Sequence, residues 1–541
     1  MQLSRNKTDN DTQYHAAVTA PHKSAAAAGE RILQQGGNAI EACVAMASAL
    51  TVVYPHMTSL GGDGFWMIHK PGEAPIALNA AGKSALELGQ CEFGAHLRGP
   101  KIALTTAGAV SGWKEALQRF KGSLSLDKIF EPAILLAESG FEVTETLKAG
   151  IEKLHTDYPS SNFTQVFMPN GVVPSVGEKL CLPALAQTYR RLASDGLQSW
   201  LDGELAKENA HFLKEQGSPI RFQDLCDTRA AWQTPLSIST QWGAFFNLAA
   251  PTQGSASLSI VALLDKYISA KSVSQSHSQS ATGEEELLHL LIESVKQAFD
   301  WRNQHLADSD ACREMQHQQL SDAVLNGQLT SITDKAAPWP SPGPIGDTVW
   351  MGVVDSEGLA VSYIQSIYWE FGSGLVNPAT GVVWNNRSLG FNVDQTHPNA
   401  IAPNKQPMHT LNPPMALLND GSRLIYGTMG GEGQPQTQAA IIWRHLVQGQ
   451  PLEEAISAPR WLLGKTWGKS EDNLKLEQPL FDLYGTHLIN RGHDAVAAPA
   501  LAEFFGHAGA IHVSDTVTRC SSDPRSDGAG ILVSQLLQGN S

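Results

Sequence analysis

Thr348 stands where a segment broken by proline and glycine gives way to an alternating, strand-like run, within "PIGDTVWMGVVDSEG" (Pro344–Gly358). A threonine hydroxyl is a poor nucleophile unless a base removes its proton. The free α-amine of an N-terminal residue has a pKa of about 7.7–8.0, so a useful fraction is neutral near pH 7 and serves as such a base. Thr348 is therefore either a nucleophile released by a cut before it or an ordinary strand residue, because threonine favours strands.

Three glycine-rich turns are further candidates for chemistry: "TSLGGDGF" (Thr58–Phe65), "EFGSG" (Glu370–Gly374) and "GTMGGEGQPQTQ" (Gly427–Gln438). Glycine permits positive φ, so each stretch also fits a tight turn with no further function. The last one precedes a helical run, "TQAAIIWRHLV". Backbone N–H groups at a turn entering a helix bind anions and oxyanions, so this turn is the strongest of the three candidates.

Motifs of several other enzyme classes are missing from the sequence. "AGKS" (Ala81–Ser84) lacks the glycine of a phosphate-binding loop, because Ala77 stands in its place. There is no GxSxG elbow, no HExxH pair and no CxxC pair, and the histidines His22, His56 and His409 are widely separated. The sequence thus argues against a P-loop enzyme, an ordinary serine hydrolase, a zinc site and a disulfide framework.

The elements that must position these candidates alternate between helices and strands. Ala16–Val53 predicts a strand and two helices, the first ending at Gly36-Gly37 and the second capped by Asn38. Two strands are predicted around the turn Pro71-Gly72, and a further strand-like stretch is "LSISTQWGAFFNLAA". Helical patterns cover Lys114–Phe120, Asp127–Ser139, Leu182–Ser194 and Leu287–His305. Helices flanking sheets indicate a layered α/β architecture.

Two segments read as connections. Ser269–Glu286 is polar and of low complexity, which predicts a solvated loop, and residues 1–15 read as a loose tail. Thr330–Asp347 holds four prolines and has no apolar periodicity, so it should not join a sheet. Strands are predicted after it at Thr348–Asp355 and Leu359–Tyr368.

Composition limits the classes of partner. The chain has 541 residues, 42% of them hydrophobic, and a formal charge of −15, which argues against binding to a nucleic-acid backbone. The longest apolar stretch, Ala42–Val53, is shorter than the about 20 residues that cross a bilayer. No membrane or nucleic-acid partner is expected, and because the N-terminal stretch has no apolar signal, a cytoplasmic location is predicted.

Several stretches in order along nearly the whole chain resemble the gamma-glutamyltranspeptidase family of N-terminal nucleophile hydrolases. They include "AAVTAPHKSAAAAGERILQQGGNAIEACVAMASALTVVYPH", "SLGGDGF", "TTAGAVSGW", "EPAILLAESGFEV", "DTVWMGVVDSEGLAVSY", "NPPMALL", "GTMGGEG" and "SDPRSDGAG". The resemblance implies a four-layer αββα sandwich built jointly by two chains of a self-cleaved precursor. It places the cut between Asp347 and Thr348, giving a large chain 1–347 that ends in the Pro-rich connector 330–347 and a small catalytic chain 348–541.

The resemblance also implies roles for single residues. Thr348 matches the family's nucleophile, and Ser366 falls where the family has a threonine that supports it through a hydroxyl hydrogen bond. Gly430 and Gly431 match the paired glycines whose N–H groups form the oxyanion hole. His409 and Thr410 occupy the place of two serines that hold the substrate carboxylate. The nucleophile, base and oxyanion hole are all protein groups, so no metal or organic cofactor is expected.

The groups that hold a gamma-glutamyl substrate are replaced in this sequence. Ala81 stands where the family has a carboxylate-binding arginine, and the nearby Lys83 lacks its bidentate fork. Leu389 and Gly390 replace an acidic pair, and Tyr368 replaces an asparagine. Losing a buried charged hydrogen bond costs about 2–5 kcal/mol, so glutathione should be a poor substrate.

"SIYWEFGSG" together with "GTMGGEGQPQTQ" resembles the oxamate amidohydrolase branch of the family. That resemblance implies hydrolysis of the amide of a small carboxylate-bearing molecule, with Tyr368, Arg387, His409 and Thr410 as candidate substrate-binding residues. Two alternatives stay open: a gamma-glutamyltransferase or glutathione hydrolase with an altered pocket, and an unprocessed, non-catalytic relative. The two chains of a processed enzyme are expected to associate as a heterodimer.

Overall fold

The computed structural model describes residues 15–89, 94, 96–274, 283–339, 347–465 and 471–534. The predicted tail, apart from residue 15, lies outside these residues, as do residues 340–346 of the connector. Within the described residues no helix is both long enough and apolar enough to cross a membrane.

Two antiparallel sheets form the centre of the fold. The first runs, in spatial order, through β20 (Ala529–Leu532), β1 (Ala17–Ala20), β9 (Asp347–Val354), β10 (Ala360–Tyr368), β2 (Asp63–His69), β3 (Ile76–Ala80) and β6 (Ala231–Gln233). The second runs through β19 (Thr518–Ser522), β18 (Ala508–Val513), β14 (Arg423–Thr428), β13 (Met415–Leu418), β8 (Gly243–Asn247) and β7 (Leu236–Thr240). In both sheets, strands from before and after residue 347 lie side by side.

The two sheets face each other across a buried apolar layer. Phe65, Trp350 and Ile364 from the first sheet pack there with Met415 and Ile425 from the second. Alternate residues of a strand point to opposite faces, so each sheet has an outer face left for helices.

Helices cover both outer faces. On the first sheet lie α1 (Lys23–Gln34), α2 (Ala39–Val53) and α3 (Ala109–Arg119), with α4 (Leu126–Ser139) packed on α2 and α7 (Pro183–Asp195) packed on α4. On the second sheet lie α11 (Gly254–Ser274) and α15 (Gly433–Ile442), which a π-helical turn, Trp443–Val447, continues, and α12 (Glu284–His305) packs on both helices. The predicted four-layer αββα sandwich is confirmed.

Shorter elements complete the described part of the chain. The remaining helices are α5 (Glu145–Asp157), α6 (Ser161–Phe167), α8 (Gln198–Leu201), α9 (Glu204–Gln216), α10 (Phe222–Cys226), α13 (Asp310–Gln319), α14 (Asp322–Ser331), α16 (Leu452–Ser457) and α17 (Gln478–Arg491). Small sheets pair β4 (Phe141–Glu142) with β5 (Lys179–Leu180), β11 (Val376–Asn377) with β12 (Val382–Val383), and β15 (Trp461–Gly464) with β16 (Asn473–Glu477) and β17 (Ala495–Ala498).

Helix α2 shows how directly the sequence sets some elements. All its residues from Ala39 to Val53 are buried, as expected for a helix that is apolar on every side. Asn38 caps it as predicted, accepting hydrogen bonds from two backbone N–H groups, while the Glu41 carboxylate accepts from the Asn38 N–H.

Two predicted boundaries are wrong. The prediction of a loop over Ser269–Glu286 fails at both ends, because α11 continues to Ser274 and α12 begins at Glu284; residues 275–282 lie outside the described residues. The connector is shorter than predicted, since α14 extends to Ser331 and β9 begins at Asp347. Between them, residues 332–339 have no regular structure, as the prolines predict.

Candidate active site

Thr348 lies buried at the start of β9, opposite a bulge in its neighbour β10. Val349 pairs with Gln365 and Asp347 pairs with Tyr368, so Ser366 and Ile367 together oppose Thr348. Thr348 is 1% exposed. A bulge of this kind re-aims side chains and is common beside active sites. Asp347, predicted as the residue before the cut, opens β9, but its side chain lies outside the described part of the chain.

Tyr368 ends β10 in an unusual backbone conformation. Its φ is 83°, in the left-handed region that costs a residue with a side chain about 1–3 kcal/mol. The Tyr368 N–H donates a 2.7 Å hydrogen bond to the Ser366 hydroxyl, which fixes the bend. The Tyr368 phenol is buried and, among the described residues, its oxygen has no hydrogen-bond partner. Burial raises the Tyr368 pKa, so the phenol keeps its proton and remains a donor.

Arg387 brings a buried positive charge to this bend. Its Nη2 donates to the Ser366 hydroxyl at 3.2 Å, and its guanidinium carbon lies 4.2 Å from the centre of the Tyr368 ring. Within the described residues, Nε and Nη1 make no hydrogen bond. Burial lowers the Arg387 pKa to about 10, so the group stays charged at neutral pH. The site thus contains a cation with unused donors.

Asp63 is the counter-charge of Arg387. Its Oδ2 lies 3.8 Å from Arg387 Nε, and its Oδ1 accepts hydrogen bonds from the N–H groups of Gly82 and Gly108 at 2.7 and 3.2 Å. Burial raises the Asp63 pKa to about 6 and the charge of Arg387 opposes that rise, so the carboxylate is largely ionised at neutral pH. The sequence interpretation did not single out Asp63, although it is the one acidic residue within "SLGGDGF".

His409 and Thr410 add neutral polar groups. Both ring nitrogens of His409 and the Thr410 hydroxyl are buried without a hydrogen-bond partner in the described part of the molecule. Burial, followed by the charge of Arg387, lowers the His409 pKa well below its usual value, so the ring is neutral. The ring packs edge-on against Phe65, with 4.9 Å between ring centres. These residues supply donors and acceptors rather than charge.

Gly430 and Gly431 form the turn that enters α15. Their φ values are 113° and 52°, which explains why glycine is needed at both positions. A Cβ at Gly430 would lie 3.3 Å from the Cα of Gly506. Within the described residues neither N–H group of the pair donates a backbone hydrogen bond. The turn therefore presents two donors of the kind that an oxyanion hole needs.

A buried network, which the sequence interpretation missed, supports this turn. The Gln253 side-chain amide donates to the carbonyl oxygens of Thr410 and Gly431 at 2.7 and 3.0 Å. Gln253 Oε1 accepts from Arg302 at 2.8 Å, and Arg302 also forms a buried ion pair with Glu432. The network joins the His409-Thr410 segment to the glycine turn. The one sequence signal of this network is Glu432, an acidic residue inside the glycine turn "GGEG".

The predicted site residues therefore come together around one buried region, from β9, β10 and the loops near Arg387, His409 and Gly430. Ala81 is buried and Lys83 is exposed, so Lys83 does not supply the missing cation. Arg387, Tyr368 and Thr410 offer donors to an anion here, whereas Leu389 and Gly390 themselves supply no carboxylate.

Asp63→Asn is expected to lower the free energy of unfolding by about 3–5 kcal/mol, because the Arg387 guanidinium would remain buried without a carboxylate partner. The asparagine side chain keeps an oxygen that accepts from the N–H groups of Gly82 and Gly108, so the substitution measures the effect of the lost negative charge alone. Urea denaturation measures the effect. The double variant Asp63→Asn/Arg387→Met should lose less free energy of unfolding than the two single variants lose together, by at least about 1 kcal/mol. Strict additivity would show that the two groups do not interact.

Comparisons with known proteins agree on one family. Residues 25–533 match the family model described as gamma-glutamyltranspeptidase. The chain is 44% identical over 527 residues to the oxamate amidohydrolase proenzyme of Klebsiella pneumoniae, covering 95% of this chain and 98% of that protein. It is 34% identical over 522 residues to the glutathione hydrolase-like YwrD proenzyme of Bacillus subtilis, with the same coverage of 95% and 98%. The cephalosporin acylase from Bacillus halodurans superposes with a TM-score of 0.85 at 28% identity, covering 98% of each chain.

Proposed function

The chain belongs to the gamma-glutamyltranspeptidase family of self-processing hydrolases that act on amide C–N bonds, and from this premise we propose that it hydrolyses a very small carboxylate-bearing amide of the oxamate type. One observation carries the choice of substrate: the buried Arg387 guanidinium, with unused donors in the described structure, contacts the Ser366 hydroxyl in the bulge opposite Thr348. Similarity to the Klebsiella pneumoniae oxamate amidohydrolase proenzyme supports the same choice.

The place of Arg387 sets the size of the substrate. In oxamate the carboxylate is bonded directly to the amide carbonyl, so a nucleophile and a carboxylate anchor must lie close together. Ser366 provides that proximity, because it faces Thr348 across the sheet and also accepts a hydrogen bond from Arg387. Tyr368, His409 and Thr410 supply further donors to the second carboxylate oxygen. A gamma-glutamyl group would need an anchor farther away and an acidic partner for its ammonium group.

The precursor first cuts itself between Asp347 and Thr348. The Thr348 hydroxyl attacks the carbonyl carbon of Asp347, the peptide C–N bond breaks, and an ester forms while the α-amine is released. Water hydrolyses the ester, giving the Asp347 carboxylate and a free N-terminal Thr348. The products are a large chain 1–347 and a small chain 348–541, which stay together as a heterodimer.

Substrate hydrolysis follows the same chemistry with the base now in place. The Thr348 α-amine takes the hydroxyl proton as the oxygen attacks the amide carbonyl. The N–H groups of Gly430 and Gly431 stabilise the oxyanion, and the α-ammonium returns the proton to the leaving nitrogen, which departs as ammonia. Water then attacks the acyl-enzyme ester, with the amine again as base, and releases oxalate.

Comparing two substrates tests the proposal. Ammonia release from oxamate should exceed release of the aniline from a gamma-glutamyl anilide by about 30-fold or more in kcat/KM, because the anchors of a glutamyl group are replaced in this sequence. Both rates are measured on the same processed enzyme, whose small chain is identified by N-terminal sequencing. Faster turnover of the anilide would favour the gamma-glutamyltransferase alternative. A chain that stays whole and turns over neither substrate would favour a non-catalytic relative.

A further inference from the structure

A second buried polar cluster, separate from the candidate site residues, lies beside residues 333–337 of the connector. His289, Glu293 and Lys296 project from α12, and His493 follows α17. Glu293 and Lys296 form a buried ion pair of 2.8 Å, with side chains 3% and 6% exposed. Nothing in the proposed amide chemistry uses these residues.

The ion pair binds both backbone polar groups of one connector residue, Ala337. The Ala337 N–H donates to Glu293 Oε2 at 3.1 Å, and Lys296 Nζ donates to the Ala337 carbonyl oxygen at 2.5 Å. We call Glu293 and Lys296 the connector clamp. His289 adds a contact of 2.8 Å between its Nε2 and the Thr333 carbonyl oxygen.

Residues from beyond the proposed cut also hold this segment. The Ala336 N–H donates to the Arg491 carbonyl oxygen at 2.8 Å, and the Trp339 ring donates to the Asp472 carboxylate. On the large-chain side, the centre of the Trp339 ring lies 6.1 Å from that of Phe299 in α12. Residues 333–339 are therefore fixed although they form no helix or strand.

A metal ion is the obvious alternative occupant of this cluster. Ligand atoms of His289, Glu293 and His493 lie within 4.8 Å of one another. The Lys296 ammonium, however, already stands beside the Glu293 carboxylate as the cation. His289 Nδ1 and His493 Nε2 share a 2.8 Å hydrogen bond, so their facing nitrogens are engaged with each other. The cluster is better described as a set of hydrogen-bond partners for the connector.

Burying an ion pair is costly and is often no better for stability than an apolar pair of the same volume. What this pair does supply is a donor and an acceptor at fixed positions, which satisfy the N–H and the carbonyl oxygen of Ala337, a residue that is otherwise exposed. From Trp339 to Thr348 the chain spans nine residue steps, at most roughly 30 Å when fully extended. Fixing Ala337 therefore limits where the peptide bond before Thr348 is able to lie.

We propose that Glu293 and Lys296 are positioning residues for self-cleavage, which act by fixing the connector at Ala337. The inference rests on the proposed cut between Asp347 and Thr348. A displacement of about 1 Å at a reacting bond costs on the order of 100-fold in rate, so loss of the clamp should slow the cut strongly. The mature enzyme no longer needs this alignment, and its turnover of amide should not depend on the clamp.

The test follows conversion of full-length precursor into two chains by denaturing gel, with N-terminal sequencing of the product. Glu293→Met/Lys296→Met removes both charges and both hydrogen bonds to Ala337, so no unpaired charge remains buried, and should lengthen the processing half-time at least about 10-fold. Lys266→Met is the matched control. Lys266 lies in α11 and pairs with Asp322 in α14, away from the connector, so this variant should be processed at the normal rate. Kinetic constants per processed active site should match those of the unaltered enzyme.

A change on the connector side separates positioning from folding. Ala337→Pro removes the N–H that Glu293 accepts, leaves the buried pair intact, and should also slow processing. If both the double variant and Ala337→Pro are processed at the normal rate, the clamp does not position the connector. The proposal also fails if kcat per processed site falls by the same factor as the rate of processing. If the unaltered chain is never cut before Thr348, the proposed function fails, and this inference fails with it.

Discussion

Thr348→Ala is expected to remain a single uncut chain of 541 residues with amidase activity reduced by at least about 10⁴-fold. In the proposed mechanism the hydroxyl is the attacking group both in self-cleavage and in formation of the acyl-enzyme, so no other residue would compensate for its loss. Denaturing gels show the chain length, N-terminal sequencing identifies any cut, and ammonia release from oxamate measures activity.

Two further variants sharpen that result. Thr348→Ser keeps a hydroxyl and should still be cut at the same bond. Thr19→Ala removes a buried threonine from β1, next to β9 in the sheet, where its hydroxyl donates to the Ser521 carbonyl oxygen; it should be cut and active. An uncut Thr348→Ala chain that hydrolyses oxamate at the normal rate would contradict the assignment of the nucleophile.

Arg387→Met is expected to lower kcat/KM for oxamate by about 30- to 5,000-fold, which corresponds to the loss of about 2–5 kcal/mol for a buried charged hydrogen bond. Self-cleavage needs no substrate carboxylate, so the variant should still yield two chains. Arg387→Lys should recover little of the loss, because a lysine ammonium is a point charge without the planar fork. Steady-state kinetics and competitive inhibition by oxalate measure the effect.

The same change alters the ionisation of Asp63. The charge of Arg387 opposes the rise that burial causes in the Asp63 pKa, so removing that charge should move the Asp63 pKa above about 6 and favour the protonated acid near neutrality.

Lys83→Met is the control for the oxamate kinetics of Arg387→Met. Lys83 is exposed and lies near the position of the family's missing arginine, so its loss should leave the kinetics unchanged. Full activity of Arg387→Met on oxamate would contradict the role given to Arg387.

The family, the four-layer fold and most elements were predictable, because they depend on motifs and on local apolar patterns. The helix cap at Asn38 is an example, since its signals lie within four residues. The bulge opposite Thr348 was not predictable, because it arises from the register between two strands rather than from either strand alone.

Long-range partners were also beyond the sequence. Asp63 meets Arg387, and Glu293 meets Ala337, only after the sheets and helices have packed. The helical end of α11 at Ser274 was missed for a different reason: its polar composition resembles a loop, while serine, alanine and lysine are all tolerated in a helix that has already begun.

The strand order of the first sheet has a consequence for the mature protein. Strand β1, from before residue 347, is hydrogen-bonded on both sides to strands from after it, β9 and β20. A cut at the start of β9 thus divides the backbone without dividing the hydrophobic layer between the sheets. Dilution should not release the pieces, a mixture of isotopically labelled and unlabelled enzyme should form no hybrids, and heating should melt both pieces in one transition.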